Sequence, residues 1–426
     1  MDAFVVTSGP PLEGRVRVSS ATKNLGLKLM SAALLAPGVT TLRNVDRVSD
    51  LDVMIDVLRA VGAGVEWSGD RELSIDATGP LNPETPYELV TRLRASVNVL
   101  GPLVARCGEA HVAMPGGDDI GSRPLDMHFK GLRAMGAELE VKHGYVEAKV
   151  SRLNGTRVMF DFPSNGATEN LLTAAVLAKG RTVIENAARE PEITELAAML
   201  NRMGAHVLGA GTSTIEVEGV ESLSPVDVSL MGDRLEAGTL LMACAIAGGE
   251  ITVDGARLEH LDVVAMKLGE MGLKVSPTAD GIWARADERM RGVDVATLPF
   301  PGFATDFMPQ VVALLATADG SAIVTENVFE NRLNFVAELA RMGADVRHEG
   351  RHAVIRGVPR LSGAPVRALD VRAGAALVLA GLAADGETIV YDPWHVERGY
   401  PDLAGTLAAL GANVERVRPS TGHPSE

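Results

Sequence analysis

The chain is expected to fold as an α/β protein assembled from six copies of one repeating unit, and three observations predict this. Six strings share an apolar stretch, a helix-ending glycine and an alternating stretch: LRAVGAGVEW, LRAMGAELEV, LNRMGAHVLG, LGEMGLKVSP, LARMGADVRH and LAALGANVER. Their glycines, Gly62, Gly136, Gly204, Gly272, Gly343 and Gly411, are separated by 74, 68, 68, 71 and 68 residues, a period near 70. A second series, Gly38, Gly108, Gly180, Gly249, Gly320 and Gly386, keeps the same period. Two markers in step argue against the alternative, two unrelated α/β domains with coincidental glycines.

Each unit reads in the same order. An apolar helix is predicted over Leu27–Leu35, stopping before a glycine suited to the left-handed position that follows a helix. VTTLRNV follows with alternating character, so successive side chains face opposite sides of a strand. A second helix is predicted over Asp52–Val61, ending at its own glycine and leading into another strand. A period near 70 exceeds that of the common short-repeat solenoids. The closing RPSTGHPSE lacks apolar periodicity and is expected to be a flexible tail over 419–426.

Length and composition set outer bounds. A chain of 426 residues suggests two to three packed units. With 46% hydrophobic and 22% charged residues it has ample material for a core, which excludes a disordered scaffold. Forty basic against fifty-five acidic residues give −15, arguing against a general nucleic-acid or membrane-surface binder while allowing a local basic cleft. Two cysteines, Cys107 and Cys244, cannot form a disulfide framework, and no Cys/His cluster suggests zinc. MDAFVVTSGP lacks the pattern of a secretion signal, and the longest clean apolar run, Ala373–Ala384, is too short to span a bilayer. A soluble cytoplasmic protein is expected.

Several cations sit beside glycine or a small residue in short polar strings. They are Arg94 in LRASVN, Arg123 in GGDDIGSRPLD, Arg234 in GDRLEAGT, Arg332 in VFENR, Arg372 in DVRAGA and Arg398 in HVERGY, with Lys23 in SSATKN. Taken singly, each reads as a solvated surface residue. Together they fall near predicted element ends, and converging cations suit a small polyanion bearing carboxylate or phosphate. PGGDDIGSRP, residues 115–124, is either a plain turn with solvated Asp118 and Asp119 or a mobile lid whose aspartate works as acid or base. Asp306 in FATDF is a second carboxylate among apolar neighbours, unless it only caps a helix. His128 and His395 read first as structural hydrogen-bond partners.

These strings resemble the enolpyruvyl transferase family, and within it the UDP-N-acetylglucosamine 1-carboxyvinyltransferases. The resemblance runs from FVV near residue 4 to VERV near 417. It rests on KN at 23–24, RASVNVLGPLVAR at 94–106, PGGDDIGSRPLDMH at 115–128, GATEN at 166–170, ENAAREPEI at 185–193, VFENR at 328–332 and ERGYPDL at 397–403. Lys23-Asn24 is unlike the Lys-Ser of the family's shikimate-pathway members. The resemblance implies a two-domain inverse α/β barrel of six βαβαββ repeats. An N-terminal domain over 22–231 would carry the 115–124 lid, and a C-terminal domain would combine 1–21 with 232–418. The active site would lie between the halves.

The implied reaction is addition–elimination on phosphoenolpyruvate, in which the 3-hydroxyl of UDP-N-acetylglucosamine attacks C2 while C3 is protonated, and phosphate then leaves. By similarity, Lys23, Arg123 and Arg398 hold the phosphate, Arg332 and Arg372 hold the carboxylate, and Asp306 is the base. Asn24, Arg94 and Val328 position the sugar. Arg123, Pro124, Leu125, Asp126 and Met127, with Ser164 and Asn165, contact the UDP portion, and Arg234 joins the substrate-binding cations. Asp118 takes the lid position that commonly carries a cysteine, so insensitivity to the epoxide fosfomycin is expected. To deliver a proton near neutral pH, Asp118 must be held in its acid form by closure or by neighbours such as Asp119. No metal or organic cofactor, nucleic acid or membrane partner is implied, and the sequence sets no oligomeric state. Three further departures from the family pattern are one extra residue at Thr22, Asn98 and Asn165 in place of larger or apolar residues, and Ala304 in place of proline. They leave open enolpyruvyl transfer to another acceptor, such as a free nucleotide, or a homologue that binds a nucleotide sugar without turnover.

Overall fold

The computed structural model describes residues 2–418, so the expected tail at 419–426 lies outside the described residues. Two compact units are present. One comprises Ser20–Gly117 and Arg123–Met231; the other comprises the residues up to Ser19, Asp118–Ser122 and the residues from Gly232 on. Residues 118–122 of the lid loop thus pack with the second unit. Each unit has its own hydrophobic core.

The α/β prediction holds in both units. All twelve marker glycines have φ between 74° and 126°, a conformation that side chains with a Cβ avoid, which is why glycine recurs there. Each repeat contributes one largely apolar helix, most of whose residues are buried. In the first unit these inner helices are Leu27–Ala33, Leu100–Cys107 and Asn165–Ala175. In the second they are Arg234–Ala247, Met308–Ala316 and Val371–Gly381. Sheets with alternating burial wrap them, putting helices inside and strands outside.

The sheets share one register pattern. In the first unit Asp227–Ser229 runs parallel to Val39–Arg43, which pairs antiparallel with Glu72–Asp76 and that in turn with Gly64–Gly69. The last strand of the unit thereby completes its first sheet. In the second unit Ala3–Thr7 lies between Glu387–Tyr391 and Asn413–Val417, and Leu12–Arg17 runs parallel to Gly249–Asp254.

Two predicted boundaries move. The helix expected over Leu27–Leu35 ends at Ala33, where Leu34 and Leu35 tighten to bonds with Ser31 and Ala32 carbonyls. The helix expected over Asp52–Val61 spans Ser49–Ala60, because Asp50 and Asp52 suit the positive end of its first turn although they carry no apolar signal.

Within each unit the inner helices run parallel. Arg106, in the last turn of Leu100–Cys107, donates to the Leu34 carbonyl at the end of Leu27–Ala33 (2.7 Å), while Asn98 and Lys28 both meet Glu169 near the opposite ends. The helices approach so closely at Gly101 that a Cβ there would lie 2.4 Å from the Asn170 carbonyl oxygen. Gly101→Ala is expected to lower stability by about 1–3 kcal/mol through overpacking, measured as a reduced urea midpoint; an unchanged midpoint would show that the two helices can part without cost.

Candidate active site

In the unit holding residues from Gly232 on, candidate side chains emerge at the first turns of the inner helices. Asp306 lies in the short turn Thr305–Phe307 that opens into Met308–Ala316. It caps no helix. Its Oδ1 lies 2.9 Å from an Arg332 terminal nitrogen and its Oδ2 3.2 Å from Arg372 Nε. Arg332 also donates to Thr305 Oγ1 (3.1 Å), and that hydroxyl donates to Glu326 Oε2 (2.8 Å). The other Glu326 oxygen accepts the backbone N–H groups of Val328 and Phe329. Arg372 packs over the Tyr400 ring, 5.1 Å from its centroid, and the Tyr400 hydroxyl is held by Thr239 and Gln310. Arg234, also buried, begins its helix directly after the capping Asp233.

This cluster is electropositive and incompletely satisfied. Burial alone would push the Asp306 carboxyl upward, but the charges of Arg332 and Arg372, aided by Arg234, outweigh it and hold the group well below the usual carboxylate range. Arg332 Nε and both terminal nitrogens of Arg372 are buried without a hydrogen-bond partner among the described residues. Such donors are costly to leave unmade, and together they suit a planar carboxylate. Ala304 adopts φ −65° and ψ 135°, the φ that proline imposes, so replacing the family's proline leaves this turn's backbone unchanged.

In the same unit Asp118 ion-pairs with Arg398, and both side chains are largely shielded from solvent. His395 stacks on Trp394 with ring centroids 3.6 Å apart, and its Nδ1 is buried without a partner among the described residues. Burial lowers the His395 pKa, opposed in part by the charge of Asp118. Val328 is half-buried on the loop that carries Glu326.

In the other unit, Lys23 and Asn24 lie on a wide π-turn, Thr22–Gly26, that runs into the first inner helix. The turn accommodates the extra residue seen in SSATKN: Gly26 N bonds back to the Ala21 carbonyl (3.1 Å), five residues away. Thr22 is buried, its hydroxyl engaged by Ser20 Oγ and Asp46 N. Lys23 ion-pairs with Asp50, and Asn24 Nδ2 is buried without a partner among the described residues. Arg94 donates to the Arg123 carbonyl, and burial together with the Arg123 charge lowers its pKa to about 10. Arg123 has a positive φ of 45° in the loop before the helix Asp126–Ala134. Pro124 and Asp126 are exposed, Met127 is half-buried, and the Leu125 side chain is buried in the core. Ser164 caps the third inner helix by accepting from Ala167 N (3.3 Å), beside exposed Asn165. His128 is held neutral, its pKa lowered to about 3 by burial and then by Arg94, with Nδ1 placed 3.0 Å from the Asn170 amide nitrogen.

Sequence inspection passed over Glu326, Thr305 and Tyr400, which orient the cluster around Asp306. Tyr400 stands inside ERGYPDL, and a buried aromatic beside two arginine strings was the available signal; Glu326 and Thr305 offered none. Two of the departures that left the acceptor open are engaged internally: Thr22 as above, and Asn98 through a 2.7 Å bond from Nδ2 to Glu169. No group of three or more His, Cys, Asp or Glu among the described residues is arranged to hold a metal ion. Both cysteines are free.

The lowered Asp306 pKa carries a sign. Because the folded state favours the charged carboxylate, this stabilisation is present above the unfolded value of about 4 and is lost as pH falls toward the lower folded value. Asp306→Asn is therefore expected to show a shallower loss of stability below about pH 4 than the parent; parallel acid limbs in urea melts would exclude the ion cluster as their cause.

Comparison with known proteins identifies the family. The family described as EPSP synthase (3-phosphoshikimate 1-carboxyvinyltransferase) matches residues 6–407. A UDP-N-acetylglucosamine 1-carboxyvinyltransferase from Corynebacterium jeikeium is 51% identical over 417 residues, covering 98% of this chain and 99% of that one. A protein of the same name from Geobacter metallireducens is 47% identical over 418 residues, covering 98% and 100%. Among solved structures, the enolpyruvyl transferase NikO from Streptomyces tendae aligns with a TM-score of 0.86 at 26% identity over 97% and 98% of the two chains. EPSP synthase from Acinetobacter baumannii, at 19% identity and a TM-score of 0.76 over 98% and 100% of the two chains, shares the fold. A match of sequence and fold over nearly the full length means that the chain belongs to the EPSP synthase family of enolpyruvyl transferases.

Proposed function

We propose that the chain is a UDP-N-acetylglucosamine 1-carboxyvinyltransferase, transferring enolpyruvyl from phosphoenolpyruvate to the 3-hydroxyl of UDP-N-acetylglucosamine with release of phosphate, the first committed step of peptidoglycan synthesis. The observation that carries this is the set of buried, unpartnered guanidinium nitrogens on Arg332 and Arg372 around Asp306. They await a carboxylate, as on phosphoenolpyruvate, beside a base kept in its charged form.

In this mechanism Asp306 accepts the proton of the sugar hydroxyl as its oxygen bonds to C2 of the donor. Asp118 delivers a proton to C3, giving a tetrahedral phosphorylated intermediate. The C2–O bond to phosphate then breaks and C3 returns its proton, restoring the double bond in the enol ether. Lys23, Arg123 and Arg398 hold the phosphate before and after it leaves. The ion pair with Arg398 needs Asp118 as carboxylate, whereas proton delivery needs the acid. Donor phosphate therefore replaces Asp118 on Arg398 before the proton moves. Asn24, Arg94 and Val328 position the sugar, with Arg234 among the substrate-binding cations. Arg123 to Met127, Ser164 and Asn165 meet the nucleotide, Leu125 through its backbone because its side chain is in the core.

The halves proposed for catalysis are 22–231 and 1–21 with 232–418, except that residues 118–122 group with the latter and residues 20–21 with the former. Placement in the cytoplasm follows from the substrates, and no helix among the described residues is long and apolar enough to cross a membrane. Another acceptor is less well supported, because Thr22 and Asn98 are engaged within the fold and only Asn165 remains exposed.

Phosphate release from phosphoenolpyruvate, measured with UDP-N-acetylglucosamine, UMP and shikimate 3-phosphate, is expected with the nucleotide sugar alone; release only with another acceptor would overturn the assignment. Asp306→Asn should lower that turnover by about 10²–10⁴-fold while sugar binding persists, and unchanged turnover removes Asp306 from the chemistry. A carboxylate attacks epoxides poorly, so the parent should resist fosfomycin labelling, whereas Asp118→Cys should become labelled by mass spectrometry and remain active. Labelling of the parent at Asp118, or none in the variant, would displace the lid from this role.

A further inference from the structure

The unit built from Ser20–Gly117 and Arg123–Met231 encloses an ionic layer that the chemistry above does not use. Lys28 Nζ lies 2.5 Å from Glu169 Oε1, and Asn98 Nδ2 donates to Glu169 Oε2 at 2.7 Å. The Lys28 and Glu169 side chains are 10% and 7% exposed. Lys28 is on the first inner helix, Asn98 in the turn that opens the second, and Glu169 on the third. Each follows by four residues a side chain proposed to meet the acceptor: Asn24 precedes Lys28, Arg94 precedes Asn98, and Asn165 precedes Glu169. On the α-helix Asn165–Ala175 four residues is roughly one turn along one face, whereas the other two steps run through the π-turn Thr22–Gly26 and the 3₁₀ turn Arg94–Val99. The layer therefore lies one turn beneath Asn165 on the third helix and follows Asn24 and Arg94 by four residues along the segments that open the other two.

A buried ion pair adds little net stability, yet it fixes the geometry of the elements that supply its partners. Here both carboxylate oxygens are engaged, each by a different segment, so the rotation and register of three helices are tied to one group. Above it, the buried Asn24 amide nitrogen has no partner among the described residues, an unmade donor for a bound ligand to satisfy. Lys23, which the mechanism gives to the donor phosphate, is held separately by Asp50.

We infer that Lys28, Asn98 and Glu169 are positioning residues for the nucleotide-sugar acceptor, setting how Asn24, Arg94 and Asn165 are presented and leaving the donor clamp alone. The inference rests on the proposed function only for the acceptor's identity. Its test compares the parent, Glu169→Gln, Lys28→Met and the double variant Lys28→Met/Glu169→Gln, reading KM for UDP-N-acetylglucosamine and for phosphoenolpyruvate, kcat, sugar binding by calorimetry, and Tm. Each single variant should raise KM for the sugar by about tenfold or more, with kcat and the phosphoenolpyruvate KM within about twofold of the parent. The double variant removes both charges, so its Tm should recover while its sugar affinity stays weak. Sugar affinity that recovers together with Tm, or equal rises in both KM values, would overturn the inference. A parent that used only UMP would overturn the functional reading instead, and the layer would then be scored by the same comparison with UMP.

Discussion

The parallel alignment of three buried helices in each unit is the constraint on which the rest depends. Helices with so few polar positions lie inside, wrapped by sheets whose outward faces are polar. Their flanks are then committed to packing, and function is left to their ends. The starting ends carry unsatisfied N–H groups and a partial positive charge. Lys23 and Asn24, Arg94, Ser164 and Asn165 occupy these positions in one unit, and Arg234, Asp306 and Arg372 occupy them in the other. Repetition of the unit thus repeats the opportunity for anion recognition.

A chain of net charge −15 can still bind a polyanion because its charges are spent unequally. Many surface cations are paired with carboxylates on neighbouring strands, as in Arg43 with Asp227 and Arg157 with Glu185. Around Asp306 two buried arginines share a single carboxylate and retain unmade donors. A fold shaped for stability alone would satisfy these groups; their persistence marks a place where stability is yielded to binding. Asp118 on Arg398 shows the complementary state, a largely shielded cation already paired with an internal carboxylate.

The six-unit α/β plan was legible in the sequence because its causes are local. Glycine at a fixed place in each repeat answers to a positive φ, and all twelve markers have it. Apolar runs and alternating stretches report burial by their own periods. The candidate cations were legible too, since each stands at an element end beside small residues. Boundaries were less so: the first turn of Ser49–Ala60 is favoured by acidic residues, which leave no apolar trace.

What only the tertiary structure decided is which partner each polar group keeps. Asn98 and Thr22 stood out as departures that left the acceptor open, yet one is bound to Glu169, 71 residues away, and the other is folded into a π-turn against Asp46. Asp306 could also be read as a helix cap, until Arg332 and Arg372 were seen to share its oxygens. Lys28 drew no notice inside an apolar helix, and Asp118 meets Arg398 across 280 residues of chain. By itself the sequence determined the repeating elements, the apolar faces and the stock of chemical groups, because these depend on neighbours a few residues apart. Pairing in a low-dielectric interior depends on distances of a few ångströms between remote segments, and those distances exist only after the helices have packed.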